Sequence, residues 1–315
     1  MSTDSPLEAL EAVNCDYNEL LSSREYRAGK RLLKLERALR SFDVKALAGF
    51  AKSLSAQGKV NGMGGAVGAH AAPAVGEREV ASARSSSVTV YACVTNGYDV
   101  PHAPLYAPSG LRPVLFVDEA TSPLVHDPGW LSIRRVEREP SLVASRNPNR
   151  YCKMHPGEFF DSDFSIYTDG NVQVISDLAD WCAIARASET GVAMHAHSSR
   201  ECAYDEASAC IASKRGDPAA IRRQMERYES EGFPHNFGMR EATVIVADLR
   251  NSTSAKLLSA WWDEYVSSGS GRDQLALPYV LWKMGFTADS VACLGPNVWN
   301  SPKLRIHDLG SHSFK

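Results

Sequence analysis

Asp169-Gly170-Asn171, closing the run Phe164-Ser165-Ile166-Tyr167-Thr168, is the stretch whose residue types point most directly to chemistry. A carboxylate at the C-terminal end of a strand lies where open α/β sheets bind their ligands. Glycine lets the backbone approach a phosphate or turn sharply, and two oxygen-bearing side chains two residues apart can serve one hard cation. The same tripeptide is ordinary turn chemistry, so taken alone it leaves both readings open. A second polar turn, Thr95-Asn96-Gly97-Tyr98-Asp99, ends another apolar run and offers an aromatic face and polar groups to a nucleotide base and ribose. Asp118 could add a hydrogen bond there. Arg146, Arg150 and Lys153 precede the Asp169 strand and are cations of the kind that hold a diphosphate.

Two further clusters carry ionisable groups. In Met194-His195-Ala196-His197 the extended chain puts both imidazoles on one side, as a zinc site would want, although no third ligand falls at matching spacing. A hydrogen-bonding role toward a sugar or phosphate, or a structural histidine, explains the pair as well. Gly271-Arg272-Asp273-Gln274 follows a Ser/Gly-rich loop and opens a helix, so Asp273 either caps that helix or points a carboxylate into a cleft as a base. Trp261, Trp262 and Trp282 read as core residues, and His307 and His312 stand in a polar tail from which either could close over a bound diphosphate.

These residues need a frame, and the apolar patterning supplies one. Short β-branched or aromatic runs at 88–95, 114–118, 131–136, 164–167, 172–175, 192–195, 243–249 and 290–294 alternate with helical stretches at 177–187, 199–214, 218–230, 254–267 and 272–284. Such alternation predicts an α/β domain with a mostly parallel sheet flanked by helices, occupying 88–315. Residues 57–87 are rich in Gly, Ala and Ser and read as a flexible linker. Before it, residues 1–56 form a basic helical segment, an N-terminal appendage: between Arg24 and Arg40 seven Lys or Arg face two Glu, enough to hold a helix at an anionic membrane surface. Docking of that helix on the domain or on another subunit is the plainer alternative.

Composition narrows the function classes. The formal charge of the 315-residue chain is −3, which supplies no global attraction to nucleic acid. Its seven cysteines are scattered without a C-x-x-C pair, the N-terminus lacks an apolar signal segment, and no apolar run is long enough to span a bilayer. The expected setting is therefore cytoplasmic, peripheral at the inner membrane face if the 24–40 helix binds lipid.

Read in order, Arg150-x-x-Lys153-x-His155, Ser165-Ile166-Tyr167-Thr168-Asp169-Gly170-Asn171, His197-x-x-Arg200-x-x-x-Tyr204-x-Glu206-Ala207, Gln224 with Tyr228, Gly232-x-Pro234, Trp261-Trp262-x-Glu264 and Arg272-Asp273-Gln274-Leu275 resemble the glycosyltransferase-like domain of the plant turgor-defect and mucilage-related proteins, in a bacterial member. The resemblance covers 88–312. It implies a GT-A-like, Rossmann-type sheet and transfer of a sugar from a nucleotide-sugar donor, a UDP-sugar, to a glycan or lipid-linked acceptor in surface polysaccharide synthesis. Thr95, Asn96, Tyr98, Asp118, Arg150, Lys153, Asp169 and Gly170 would bind the donor. Asp169 and Asn171, with His312, would hold Mn²⁺ or Mg²⁺, and Asn in place of a second acid removes a negative charge from that site. Asp273, Gln274 and His197 would be catalytic: Asp273 as base if configuration inverts, Asp273 and Gln274 as orienting groups in the manner of family 8 glycosyltransferases if it is retained. The rival expectations are a metal-dependent hydrolase centred on His195 and His197, and a non-catalytic nucleotide- or carbohydrate-binding module.

Overall fold

The computed structural model describes residues 72–108 and 110–307. The helical segment 1–56, its basic stretch 24–40, and His312 lie outside the described residues. Of the stretch read as linker, the part from residue 72 onwards is described, and it contains helix α1 (Glu77–Arg84). Its sequence is mostly polar, yet Ala83 is buried and Val80 packs on the core. Three apolar side chains in eight residues, two of them alanine, are too weak a pattern to show as a helix.

Seven strands form the main sheet: β1 (Val88–Val94), β2 (Leu111–Val117), β3 (Ser132–Arg135), β4 (Phe164–Thr168), β6 (Val192–Ala196), β7 (Arg240–Asp248) and β8 (Ala292–Cys293). Their spatial order is β3-β2-β1-β4-β7-β6-β8. All pairs are parallel except those of β7, which runs antiparallel between β4 and β6. β1 and β4 are buried almost end to end, as expected of central strands covered on both faces, where apolar residues run on without alternation. A separate antiparallel ribbon joins β5 (Val172–Val174) to β9 (Leu304–Ile306), so the run 172–175 is a strand but not part of the main sheet.

Helices cover both faces. α5 (Ala179–Ala187) lies over one face with Trp181 and Ile184 against Val90, Ile166 and Val244. On the other face, α8 (Ser252–Ser268) and α9 (Asp273–Lys283) pack Leu257, Trp261, Leu277 and Leu281 against Tyr91, Tyr167 and Ile245. α6 (Ala203–Ala212) and α7 (Pro218–Ser230) extend that layer. Local signals fix the helix starts. Asp217 accepts the Ala220 N–H (2.7 Å) ahead of Pro218, and Asn251 accepts the Thr253 N–H (2.8 Å). α8 ends at Gly269, whose φ of +61° is the left-handed geometry glycine supplies at a helix C-terminus. Between β3 and β4 three short helices, α2 (Pro140–Ala144), α3 (Pro148–Met154) and α4 (Pro156–Phe159), each begin at a proline. Of the three cations that precede β4, Arg150 and Lys153 are therefore on α3, and Arg146 lies just before it.

This topology brings one set of strand ends together. The C-terminal ends of parallel β1, β4 and β6 and the N-terminal end of antiparallel β7 share a single edge of the sheet, and the N-terminus of α9 abuts it.

Candidate active site

Asp169 leaves β4 at that edge. Its N–H donates to the Thr243 carbonyl on β7 (3.0 Å), and its own carbonyl accepts from Val172 (3.0 Å), closing a tight turn over Gly170 and Asn171. Gly170 is required by close approach. A Cβ there would stand 2.6 Å from Val94 Cγ2 and 2.9 Å from Asp99 Cβ. Burial together with the Asp169 charge raises the Asp99 carboxyl to about 6. Two carboxylates that repel one another at a strand end are a donor set that a cation relieves. Among the described residues no three His, Cys, Asp or Glu side chains converge as a metal cage. The pair instead fits Mg²⁺ or Mn²⁺ held by one or two carboxylates and completed by substrate phosphates. The Asn171 carbonyl accepts the His307 N–H (2.8 Å), and the His307 ring stacks on His102 at 3.5 Å, so His307 is the tail histidine placed beside this turn.

A buried polar relay runs inward from Asp169. The Tyr167 hydroxyl donates to Asp169 Oδ1 (3.0 Å), and Asn149 Nδ2 donates to the Tyr167 hydroxyl (3.3 Å) and to the Cys93 carbonyl. Arg150 donates to Asn149 Oδ1 and pairs through Nε with Asp273 Oδ2 (3.1 Å). Lys153 Nζ reaches the same carboxylate oxygen at 2.8 Å. Trp261 Nε1 donates to the Asp273 backbone carbonyl (2.8 Å), which fixes the first turn of α9. Burial would raise the Asp273 carboxyl, but Arg150 and Lys153 outweigh it and hold it well below the usual carboxylate range.

The expected residues separate accordingly. Arg150 stays partly exposed and can face a ligand, whereas the Lys153 side chain is 3% exposed and consumed by Asp273. Lys153 therefore builds the site rather than touching a diphosphate. Asp273 is a clamp for two cations, and so strongly depressed a carboxylate is a poor proton acceptor. The amide of Gln274 is also committed: it accepts the Ala242 N–H (3.1 Å) and donates to the Arg240 carbonyl. Asp118 spends both carboxylate oxygens on the backbone, at Asn96 (2.7 Å) and Thr121 (2.9 Å), and thereby shapes the β1 turn. Asn96 in that turn has φ +59°, Thr95 lies beside it, and the Tyr98 ring is exposed.

His197 follows β6. Its Nδ1 accepts the Arg200 N–H (3.1 Å), which leaves the ring proton on Nε2, 3.6 Å from Glu206 Oε2. Glu206 is buried and also paired with Arg200. His195 is buried edge-on to Trp181 (ring centroids 5.2 Å), and burial lowers it to about 3. Among the described residues, His195 and His197 do not converge with a third His, Cys, Asp or Glu as the zinc-hydrolase alternative would need.

Three residues of this edge had gone without a role in the sequence: Asn149, Tyr167 as a relay member, and Glu241. Asn149 lies one residue from a proline in a stretch with no periodicity. Glu241 precedes the run that marked its strand, so no signal assigned it.

Other motif residues lie elsewhere. Gln224 donates to the Tyr228 hydroxyl (2.7 Å), which donates to Glu264 Oε1 (2.7 Å), while Arg227 pairs with Glu264. Tyr228 stacks on Tyr279 at 3.8 Å. This network ties α7, α8 and α9 together.

Residues 149–294 match the family model described as TOD1/MUCI70, glycosyltransferase-like domain. The matched segment takes in α3, the relay, both histidines, Glu241 and the start of α9. No curated protein matches the chain. Among solved structures, the apo WbbM bifunctional glycosyltransferase aligns with a TM-score of 0.43 at 14% identity, covering 67% of this chain and 39% of that one. The apo glycosyltransferase GlyE of Streptococcus pneumoniae TIGR4 aligns at 0.36 and 12%, covering 67% and 45%. The galactosyltransferase LgtC in complex with donor and acceptor sugar analogs aligns at 0.34 and 15%, covering 61% and 70%. The chain thus spans less than half the length of the first two.

Proposed function

We propose, because residues 149–294 match the family model described as TOD1/MUCI70, glycosyltransferase-like domain, that the protein transfers a sugar from a nucleotide-sugar donor, a UDP-sugar, to a glycan or lipid-linked acceptor in surface polysaccharide synthesis. One observation carries the reading: acids and cations meet at the sheet edge through one hydrogen-bonded line, from Asp169 through Tyr167 and Asn149 to Arg150, with the Asp99 carboxyl within electrostatic reach of Asp169. A metal-bound diphosphate presents the complementary charges. Thr95, Asn96 and Tyr98, on a turn braced by Asp118, take the base and ribose. Gly170 lets the backbone approach the phosphates, and Arg150 faces them.

Breaking the bond between the anomeric carbon and the diphosphate leaves positive charge on the sugar and negative charge on the leaving group. Mg²⁺ or Mn²⁺ bound at Asp169, Asp99 and Asn171 would supply counter-charge to the leaving diphosphate. Arg150, held in place by Asn149 and Asp273, adds a fixed positive charge that needs no reorganisation during reaction. His197, oriented by the Arg200 N–H and Glu206, offers an Nε2–H to a sugar hydroxyl on the acceptor side.

The test is a screen of nucleotide sugars for released UDP or GDP, with and without Mn²⁺. Asp169→Ala is expected to abolish release while retaining the wild-type circular dichroism spectrum. Undiminished turnover in that variant would remove Asp169 from the donor site.

A further inference from the structure

Glu241 stands at a break in the sheet. The β6–β7 register runs Val192↔Ala247, Ala193↔Val246 and Met194↔Ile245, then jumps to His195↔Glu241, so β7 carries extra residues at Ala242, Thr243 and Val244. Such a bulge re-aims the side chains next to it. Here it is held from both sides. The Gln274 amide bonds the Ala242 N–H and the Arg240 carbonyl, and the Thr243 carbonyl accepts from Asp169. The bulge places the Glu241 carboxylate within the electrostatic reach of Asp169 and Glu206, between the donor turn and the His197 side of the edge.

Glu241 Oε1 lies 3.5 Å from Thr243 Oγ1, and the Val298 backbone N–H also bonds the carboxylate. Oε2 is buried and has no hydrogen-bond partner among the described residues. Across the register, both ring nitrogens of buried His195 are likewise without a partner. Unpaired buried polar atoms are costly and call for a ligand. The other carboxylates available as proton acceptors are closed: Asp273 by Arg150 and Lys153, Glu206 by Arg200.

We propose that Glu241 is the catalytic base of the transfer, with His195 beside it as a neutral hydrogen-bonding partner for the acceptor. This assignment rests on the transferase reading above. In the step, Glu241 Oε2 takes the proton of the acceptor hydroxyl, and the freed electron pair of that oxygen forms the bond to the anomeric carbon. The bond from that carbon to the diphosphate oxygen breaks, and its electron pair leaves with the nucleoside diphosphate. The proton stays on Glu241 until product release returns it to water. Burial, then repulsion from Asp169, raise the Glu241 carboxyl to about 7, where it can both take and give up a proton near neutral pH.

Full-length wild type, Glu241→Gln and Glu241→Ala are compared on UDP-glucose, UDP-galactose, UDP-N-acetylglucosamine and GDP-mannose, with water as the acceptor and nucleoside diphosphate release as the readout. Glu241→Gln is expected to lose roughly 100-fold or more in kcat, with donor KM and calorimetric UDP affinity changed less than about threefold. Wild-type kcat should rise with pH through a midpoint near 7 that is absent from the residual activity of the variant, and formate should restore part of the Glu241→Ala rate. Wild-type kcat in Glu241→Gln, or a loss of UDP affinity as large as the loss of rate, overturns the assignment and leaves the transferase reading standing. No turnover of any donor by the wild type overturns both.

Discussion

Replacing Asp273 by Asn removes one charge and almost no volume, so its consequences report what that charge does. In the folded protein a single oxygen of Asp273 meets Lys153 Nζ at 2.8 Å and Arg150 Nε at 3.1 Å. At an effective dielectric of about 20, the gross attraction to Lys153 is about 6 kcal/mol. Much of that repays the desolvation of both groups. Arg150 can turn partly to solvent, whereas Lys153 is left as a buried ammonium facing the rings of Tyr167 and Trp261. Breaking a buried pair from one side costs roughly 3–5 kcal/mol, which for a domain of this size lowers Tm on the order of 10 °C. Urea and thermal unfolding of Asp273→Asn should show that loss, and Asp273→Asn/Lys153→Met should recover most of it because no orphaned charge remains. The depressed Asp273 carboxyl adds a pH signature. Its stabilisation is complete above the unfolded value of about 4 and is lost as pH falls further. The gap between wild type and variant should be flat from about pH 5 to 8 and should narrow in stronger acid. An Asp273→Asn protein as stable as wild type but with kcat down 100-fold would refute the clamp and restore Asp273 as a base.

Gly170→Ala should destabilise by roughly 1–3 kcal/mol, the cost of overpacking, because its Cβ meets Val94 at 2.6 Å and Asp99 at 2.9 Å. It should also weaken Mn²⁺-dependent turnover by moving Asp99; unchanged urea midpoint and activity would contradict the close approach. For Asp99→Asn the sign runs the other way from Asp273. The Asp99 carboxyl is raised to about 6 by burial and by Asp169, so it favours the folded state below its unfolded value of about 4, a contribution lost as pH rises through 6. Asp99→Asn should therefore melt higher than wild type at pH 7.5, with the gap roughly halved at pH 5 and closed below about pH 4. A pH-independent gap would mean that neither burial nor Asp169 raises the Asp99 carboxyl.

The strands were legible because central parallel strands leave long β-branched and aromatic runs, as in β1 and β4. That Asp169 closes a strand was legible because a strand end needs no tertiary information. The partners were not. Lys153 and Asp273 are 120 residues apart, and no local spacing reveals that a carboxylate opening a helix is already neutralised twice. Asp273 therefore read as a helix cap, a base or an orienting group, and Lys153 as a cation able to hold a diphosphate. The three helices between 140 and 159 begin at prolines and are too short for a 3.6-residue stripe. Glu241 was invisible for a related reason: the polar residues Arg240, Glu241 and Thr243 look like an approach to a strand, while in the fold they begin it and enclose its bulge.

Several of the ordered motif residues fall into two buried networks with different work. Gln224, Tyr228, Arg227 and Glu264 lock α7, α8 and α9 to one another. Asn149, Arg150, Lys153, Tyr167 and Asp273 connect that locked layer to the strand end where Asp169 emerges. Polar groups at this depth are costly unless they are paired, and fully paired they specify one arrangement. Both networks meet at α9: Tyr279 stacks on Tyr228 in the first, Asp273 clamps the cations of the second, and Gln274 holds the β7 bulge from the same helical turn as Asp273. A single rigid helix thereby sets the position of Arg150 on the donor side and the direction of Glu241 across the edge. Fixed charges on both sides of a breaking glycosidic bond stabilise it without reorganising during the reaction. In the proposed transfer, that requirement accounts for Asp273 and Gln274 standing next to one another: each would hold in place a group that faces the substrate, and neither would need to touch it.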